Sequence, residues 1–306
     1  MKGRLVLTTL VVASLGLLAA SFRAAPLPAP APFGGPVPAA SPPAEMSAVR
    51  IDTGVIHRNA GVAYRGGSLA EPRDFAMTAV LVRHPKGDLL IDTGLGRDLD
   101  RHLGLMPWAF RAVTRIARGV PAAAQLDRAG YDRGRLRGIV LTHAHWDHVS
   151  GADGFPGVPL LVPGVERGFV EGGSTLTAVA RDLPGARWEE YGFESGPYLG
   201  FPASHDAHGD GSFVIVPSPG HTPGSVVVFV TLPAGRRLAF VGDLVWQLEG
   251  ITEREERPFF TRMLADEDPA GVREGILRMA ALHARFPELA IAPAHDGRGF
   301  AALPAL

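Results

Sequence analysis

Three histidines and one aspartate lie within six residues of one another, directly after a short apolar run. His143, His145, Asp147 and His148 follow the run Gly138–Leu141. If that run is a buried strand, the turn leading into the next helix can project all four side chains into one cleft. Imidazole and carboxylate groups are ligands that suit zinc, and also iron or manganese. The spacing therefore predicts a metal site.

Three further side chains of the same types lie where later strands should end. His221 follows the predicted strand Phe213–Val216, Asp243 follows Leu238–Val241, and His295 follows Leu289–Ala292. In open sheets, ligand sites collect at the loops beyond strand ends. Each residue alone would more often be an ordinary loop residue. Their common placement indicates that they belong to the same site.

The rest of the chain alternates between strand and helix patterns. Further strands are predicted at Thr78–Arg83, Asp88–Asp92 and Ser225–Thr231. Helical spacing covers Asp98–Ala117, with a break at Pro107, and Pro269–Arg285, which begins with proline. Mixed elements of this kind predict a layered α/β or α+β domain.

Bulk composition excludes several function classes. The chain has 306 residues, of which 46% are hydrophobic and 20% charged, and its net charge is −1 with histidine neutral. This balance gives no field that would attract a nucleic acid or an anionic membrane surface. Cysteine is absent, which excludes disulfides, thiolate zinc sites and cysteine nucleophiles.

The N-terminal residues resemble a targeting segment. Lys2 and Arg4 precede the mostly apolar run Leu5–Ala20, a pattern typical of a secretory signal peptide. We therefore interpret residues 1–23 as an export signal of a periplasmic or secreted protein, or as an uncleaved anchor that would tether it to a membrane. Eight prolines in Ala24–Ala44 predict an extended linker over residues 24–45. The folded domain is expected to span residues 46–306.

The ligand pattern resembles that of the metallo-β-lactamase superfamily. The resemblance rests on the HxHxDH pattern at 143–148, the Pro-Gly-His-Thr stretch around His221, the Gly-Asp pair at 242–243, the late His295, and a strand followed by Asp92-Thr93-Gly94. These elements occur in the family's order over about residues 75–297. The resemblance implies an α+β fold, a four-layer αββα sandwich with its metals at one edge of two packed sheets.

The resemblance also implies a role for each ligand. His143, His145 and His221 would hold the first metal, Asp147, His148 and His295 the second, and Asp243 would bridge them. Asp92 is expected to orient the ligand turn. The expected cofactors are two zinc ions, with iron or manganese as alternatives. Two such ions sharing a water make hydroxide available at neutral pH, and Asp147 is the expected proton carrier.

Within the family, the chain is most similar to the N-acyl-homoserine lactone lactonases, through the stretch Leu81–Gly87 that leads to Ile91–Gly94. Asp243 argues against β-lactamases that lack a bridging aspartate, and the missing cysteine argues against the other subclasses. Only 11 residues follow His295, too few for the helical extension of glyoxalase II enzymes. The balanced charge offers no basic exosite for a ribonuclease Z-type nuclease. One departure is Trp246, where those lactonases carry a tyrosine.

These observations predict a hydrolase of a small-molecule ester, lactone or related acyl bond. The alternatives are a β-lactamase-like or phosphodiesterase member of the fold, an inactive metal-binding module, and a di-iron redox protein. Two apolar segments could form a lid over the substrate or, equally, core or a homodimer surface: Leu103, Met106, Trp108 and Phe110, and Phe259, Phe260 and Met263. The charged run Glu253–Arg257 is interpreted as a solvated face.

Overall fold

The computed structural model describes residue 16 and residues 18–306, and its strands form two sheets. Most of the predicted export signal, residues 1–23, lies outside the described residues. Within the part of the chain that is described, no helix combines the length and apolar character that a bilayer crossing requires. The strands are β1 (Ser47–Asn59), β2 (Pro72–Arg83), β3 (Asp88–Ile91), β4 (Arg115–Arg118), β5 (Leu136–Val140), β6 (Pro159–Pro163), β7 (Arg187–Tyr191), β8 (His205–Asp206), β9 (Phe213–Pro217), β10 (Val226–Thr231), β11 (Arg237–Gly242) and β12 (Ala290–Pro293).

The two sheets differ in strand direction. The first has the order β4-β1-β2-β3-β5-β6-β7, antiparallel from β4 to β3 and parallel from β3 to β7. The second has the order β12-β11-β10-β9-β8, in which only the β11–β12 pair is parallel. Because parallel strands end at the same edge, the loops after β3 and β5 meet at one edge of the first sheet, and those after β11 and β12 at one edge of the second.

Helices connect the strands and cover both sheets. They are α1 (Ala60–Ala63), α2 (Leu99–Gly104), α3 (Trp108–Val113), α4 (Ala122–Arg128), α5 (Trp146–Val149), α6 (Gly164–Glu171), α7 (Ala178–Asp182), α8 (Glu249–Thr252), α9 (Phe259–Ala265) and α10 (Pro269–Arg285). The bounds of α10 are those predicted from its N-terminal proline and helical spacing.

Alternating side chains of each strand separate the interior into layers. In β2, Val80 and Val82 pack between the sheets with Phe213 and Val228, whereas Leu81 faces the helices with residues such as Leu126. The second sheet likewise turns its other face toward α10. Burial of alternate apolar positions on both faces is what a sheet covered on each side requires. The predicted four-layer αββα sandwich is confirmed.

Two segments differ from their sequence-based predictions. The helical spacing over Asp98–Ala117 resolves into α2, α3 and the edge strand β4, which pairs with β1. The long strand β1 was not predicted, because its register shifts between Asp52 and Gly54 and its burial does not alternate regularly.

The proline-rich segment lies along the domain. Residues 24–43 contain neither helix nor strand, as expected for this composition. The Leu27 N–H donates to the Arg254 carbonyl at 2.8 Å, and the Ser41 N–H donates to the Asp210 carbonyl at 2.8 Å. The Phe33 ring also contacts Phe286, with 5.9 Å between centroids. The segment is thus extended but attached along its length; its role as a linker stays a prediction.

Candidate metal centre

The side chains predicted as metal ligands converge at the edge where the two sheets meet. They form three overlapping groups. Within each group every residue contributes one nitrogen or oxygen atom, and these atoms all lie within 4.8 Å of one another. The groups are His143, His145 and His221; His143, His148 and Asp243; and Asp147, His148 and His295. The first and third groups match the two ligand sets that the family resemblance implied. Every predicted ligand therefore lies in this cluster.

Asp243 lies between the two outer groups. Its Oδ1 is 3.3 Å from His148 Nε2 and 3.2 Å from His295 Nε2, and its Oδ2 is 3.5 Å from His221 Nε2. The preceding Gly242 has φ +53°, and a Cβ there would lie 2.8 Å from Thr142. Glycine is needed at this position because the strand must turn sharply against the neighbouring sheet. The turn delivers one carboxylate to both groups.

The cluster contains buried polar atoms that make no hydrogen bond to any of the described residues. These atoms are Nε2 of His143, His145, His148 and His221, and Oδ1 of Asp243. Buried polar groups without partners are rare in folded proteins because each costs free energy. Nitrogen and oxygen donors aimed at one another across a few ångströms are a donor set for divalent cations. The residues present therefore fit a divalent metal.

Hydrogen bonds on the far side of three imidazoles direct their Nε2 atoms into the cluster. His148 Nδ1 lies 2.9 Å from Asp92 Oδ2, and His221 Nδ1 lies 3.0 Å from Asp266 Oδ1. His295 Nδ1 lies 3.0 Å from the carbonyl oxygen of Ala76. Each of these acceptors accepts a hydrogen bond from the Nδ1–H group. The proton of the neutral imidazole therefore stays on Nδ1, and the Nε2 lone pair can bind a metal.

Asp92 also holds the start of the ligand turn. Its Oδ1 accepts the Thr142 N–H at 2.7 Å, and its Oδ2 accepts the Thr142 hydroxyl at 2.8 Å. Asp92 has φ +52°, a left-handed conformation that is uncommon outside glycine. The predicted contact between this aspartate and the ligand turn is confirmed.

Burial and nearby charges shift the pKa values of four of these histidines, two downward and two upward. Burial lowers the pKa of His143 and His145 well below its usual value, so both are neutral. Burial also lowers the pKa of His148, but the Asp92 and Asp243 carboxylates outweigh it and raise the pKa well above the usual value. The pKa of His295 is raised in the same way, against burial, by Asp243 and Asp147. Without metal, His148 and His295 thus hold protons that neutral metal ligands cannot keep.

Metal binding is therefore expected to release protons. Zinc binds neutral imidazole, so filling the cluster should displace the protons that His148 and His295 hold. The apparent zinc affinity should then fall as the pH is lowered, because protons compete for the same nitrogens. Titration of the metal-free protein with zinc in weak buffer, followed by an indicator dye, measures this release.

The Asp92→Asn variant is the control for this titration. Its amide oxygen can still accept hydrogen bonds, but one of the two charges that raise the His148 pKa is gone, so fewer protons should be released. Zinc binding to the wild-type protein without any proton release at pH 7 would contradict the assignment.

The interpretation of Glu253–Arg257 as a solvated face is wrong for the last three residues of the run. Glu255, Glu256 and Arg257 are all buried. Glu256 accepts from Arg262 and Arg273, so its charge is paired in the interior. A run of alternating charges gives no indication of burial, because the oppositely charged residues that offset the cost of burying it lie elsewhere along the chain.

Glu166 is a second buried acid that the sequence did not reveal. Its Oε1 accepts the Ala144 N–H at 2.7 Å, and its Oε2 accepts the Thr222 hydroxyl at 2.7 Å and the Gly224 N–H at 2.9 Å. Burial raises the pKa of Glu166, although these hydrogen bonds lower it. One carboxylate thus joins the loop of His143 and His145 to the loop of His221.

Aromatic side chains surround the cluster. The Phe75 ring stacks on His295 at 5.6 Å between centroids, and Phe169 lies 6.4 Å from His145. Phe110 contacts Trp146 edge-on at 5.6 Å, which places α3 beside the ligand turn. Of the predicted lid residues, Met106 is buried, Leu103 and Phe110 are partly buried, and Trp108, Phe259, Phe260 and Met263 are exposed.

Trp246, the departure from the lactonase pattern, contacts the cluster directly. Its indole Nε1–H donates to Asp243 Oδ2 at 2.8 Å, and its ring packs on Phe75 at 5.5 Å between centroids. An indole has no second polar atom, so this hydrogen bond uses its whole capacity as a donor. The residue supports the ligand Asp243 rather than presenting a polar group to a substrate.

Comparison with known proteins shows the family of the chain. The family model described as the metallo-β-lactamase superfamily matches residues 73–295. A probable metallo-hydrolase of Mycobacterium tuberculosis is 34% identical over 234 residues, which cover 71% of this chain and 73% of that protein. An N-acyl homoserine lactonase of Azorhizobium caulinodans is 29% identical over 184 residues, which cover 57% of this chain and 66% of the lactonase.

Solved structures show the same architecture. An N-acyl homoserine lactone hydrolase, solved with N-hexanoyl-L-homoserine bound at its catalytic metal centre, superimposes with a TM-score of 0.65 at 17% identity. The match covers 85% of this chain and 96% of that chain, so the fold is shared over nearly its whole length. The chain belongs to the metallo-β-lactamase superfamily and is a metal-dependent hydrolase.

Proposed function

We propose that this protein is a dinuclear zinc hydrolase that cleaves an ester, a lactone or a related acyl bond. The single observation that supports two metals rather than one is the position of Asp243, whose two oxygens face different groups of histidines. His143, His145 and His221 would hold one ion, and Asp147, His148 and His295 the other, with Asp243 shared between them. Iron or manganese would use the same donors.

The proposed reaction uses the chain's residues for positioning and proton transfer. When bound, zinc ions lower the pKa of a coordinated water toward neutrality and polarise the acyl oxygen. Asp147 is the proton carrier in this proposal, because its carboxylate lies in the cluster with Oδ2 3.4 Å from His295 Nε2. Burial lowers the pKa of Arg58, and the nearby Asp147 carboxylate offsets part of that shift, so a positive charge lies near that carboxylate.

The resemblance to lactonases supports an acyl substrate, and the surroundings of the cluster favour an apolar acyl group. Phe110 on α3 packs against Trp146, and Trp108, the first residue of the same helix, is exposed. Phe259 and Phe260 expose a second apolar surface on α9, and the residue after this helix is Asp266, the partner of His221. Burying one methylene contributes about 0.8 kcal/mol, or roughly fourfold in affinity when burial is complete.

Metal analysis combined with a substrate panel tests the proposal. We expect two zinc equivalents per chain, turnover of homoserine lactones or simple esters, and a KM that falls as the acyl chain lengthens. In Trp108→Ser, KM should rise for long-chain substrates and stay unchanged for short ones, so the short-chain substrate is the internal control. Preferential turnover of β-lactams or phosphodiesters would replace the acyl-lactone assignment. Two zinc equivalents with no turnover of any class would favour an inactive metal-binding module.

A further inference from the structure

Arg257 is a buried cation placed beside the metal cluster but outside it. Its side chain is 2% exposed, and its Nη1 donates to both oxygens of Asp266, at 2.8 Å to Oδ1 and 3.1 Å to Oδ2. A second guanidinium nitrogen donates to the backbone carbonyl of Asp243. A buried guanidinium is costly unless it is paired and hydrogen-bonded, and this one is held on two sides.

Each partner of Arg257 in turn contacts a predicted metal ligand. Asp266 Oδ1 also lies 3.0 Å from His221 Nδ1. The guanidinium carbon lies 4.7 Å from the centre of the Trp246 ring, and the indole N–H of Trp246 donates to Asp243 Oδ2 at 2.8 Å. Arg257 therefore reaches Asp243 through its carbonyl and through Trp246, and it reaches His221 through Asp266.

We propose that Arg257 is a positioning residue that fixes His221 relative to Asp243 and so sets the affinity of the metal held by His143, His145 and His221. This inference rests on the proposed function, because it requires the cluster to bind metal. His221 and Asp243 come from different loops, after β9 and β11, and Arg257 with Asp266 is the connection between their far sides. His148 and His295 are supported by Asp92 and the Ala76 carbonyl, which Arg257 does not contact.

Geometry explains why arginine is suited to this position. One guanidinium nitrogen, Nη1, donates to both oxygens of Asp266, the other, Nη2, donates to the Asp243 carbonyl, and the planar group stacks on the Trp246 ring. Lysine keeps the charge but cannot make these contacts together. Replacing Arg257 with lysine should therefore loosen the geometry while leaving a paired cation inside the protein.

The test measures zinc affinity of the full chain by competition with a chelator. In Arg257→Lys we expect one of the two zinc equivalents to bind about 10- to 100-fold more weakly, the size typical for loss of a group that supports a ligand, and the affinity of the other to change much less. Activity lost at low zinc should return when zinc is added in excess. Asp266→Asn, which keeps the shape but not the charge beside His221, should weaken the same equivalent.

Arg273→Met is the matched control. Arg273 also pairs with the segment that contains Arg257, through Glu256 at 2.8 Å, but it is half-exposed and contacts no ligand or ligand support. Both zinc affinities should stay at the wild-type value in this variant. If Arg257→Lys binds both zinc equivalents as wild type does, or weakens both equally, the positioning role is refuted. Failure of the wild-type protein itself to bind zinc would instead refute the proposed function.

Discussion

Replacing His145 with alanine is expected to lower kcat/KM by several orders of magnitude while the protein stays folded. His145 is one of three nitrogen donors in the first group, and its loss leaves that group two imidazoles. Burial lowers its pKa so that it is neutral, and its Nε2 bonds no described residue. The substitution therefore leaves no buried charge unpaired, so its effect on folding should be small beside its effect on the metal.

Asp243→Ala should reduce activity at least as much, because Asp243 faces both groups. Its structural cost is larger, since the His148 and His295 charges keep the pKa of Asp243 well below its usual value, against the raising effect of burial. This lowered pKa means that the carboxylate stabilises the fold above its unfolded pKa, near 4, and that the benefit is lost as the pH falls further. The variants should be compared at a pH well above about 4, where the wild-type carboxylate is ionised.

The measurement is kcat/KM together with zinc content and the thermal unfolding temperature. His84→Ala is the control, because His84 is also buried but lies at the opposite end of β2 from the cluster. It should keep both zinc equivalents and an activity close to wild type. Unchanged kcat/KM in His145→Ala or Asp243→Ala would remove the basis for the metal assignment.

The sequence predicted the cluster because its evidence is local or falls at strand ends. Four of the ligands lie within one turn after β5, and the other three each follow a strand of clear apolar character. Strand ends of a layered domain meet at few places, so the order of these residues along the chain predicted their meeting in space. The same regularity predicted α10 to its exact bounds.

Apart from Asp92, the residues that support the cluster could not be predicted in this way. Asp266, Arg257 and Glu166 are charged, and charged residues are mostly exposed, so a sequence pattern assigns them to the surface. Their burial depends on partners 9 to 58 residues away along the chain. The strand β1 was missed for a related reason: pairing on both sides, with β2 and β4, decides its conformation more than its own residue pattern.

Replacing Glu166 is expected to produce the largest loss of stability among these variants. In Glu166→Ala, two buried N–H groups, of Ala144 and Gly224, lose their acceptor, whereas the Thr222 hydroxyl can turn to Ser225 Oγ at 2.8 Å. An unsatisfied buried donor costs about 1–3 kcal/mol, so the free energy of unfolding should fall by about 2–6 kcal/mol. Glu166 is fully buried, so bulk water does not reach these donors in the wild-type protein.

Glu166→Gln separates hydrogen bonding from packing. The amide has one oxygen and one NH2 group, so in either orientation its NH2 faces a backbone N–H, of Ala144 or of Gly224. We therefore expect the glutamine variant to lose about half as much as the alanine variant, roughly 1–3 kcal/mol. Urea unfolding of the metal-free protein measures both losses without a contribution from metal binding.

Glu171→Gln, at the other end of α6, is the matched control. Its carboxylate is exposed and pairs with Arg167 one turn earlier, an interaction worth about 0.3–0.5 kcal/mol. If Glu166→Gln unfolds at the same urea concentration as wild type, the carboxylate does not hold the two ligand loops together. If it is destabilised as expected, the loop of His143 and His145 and the loop of His221 depend on one buried acid, and zinc bound between them should in turn restore part of the lost stability.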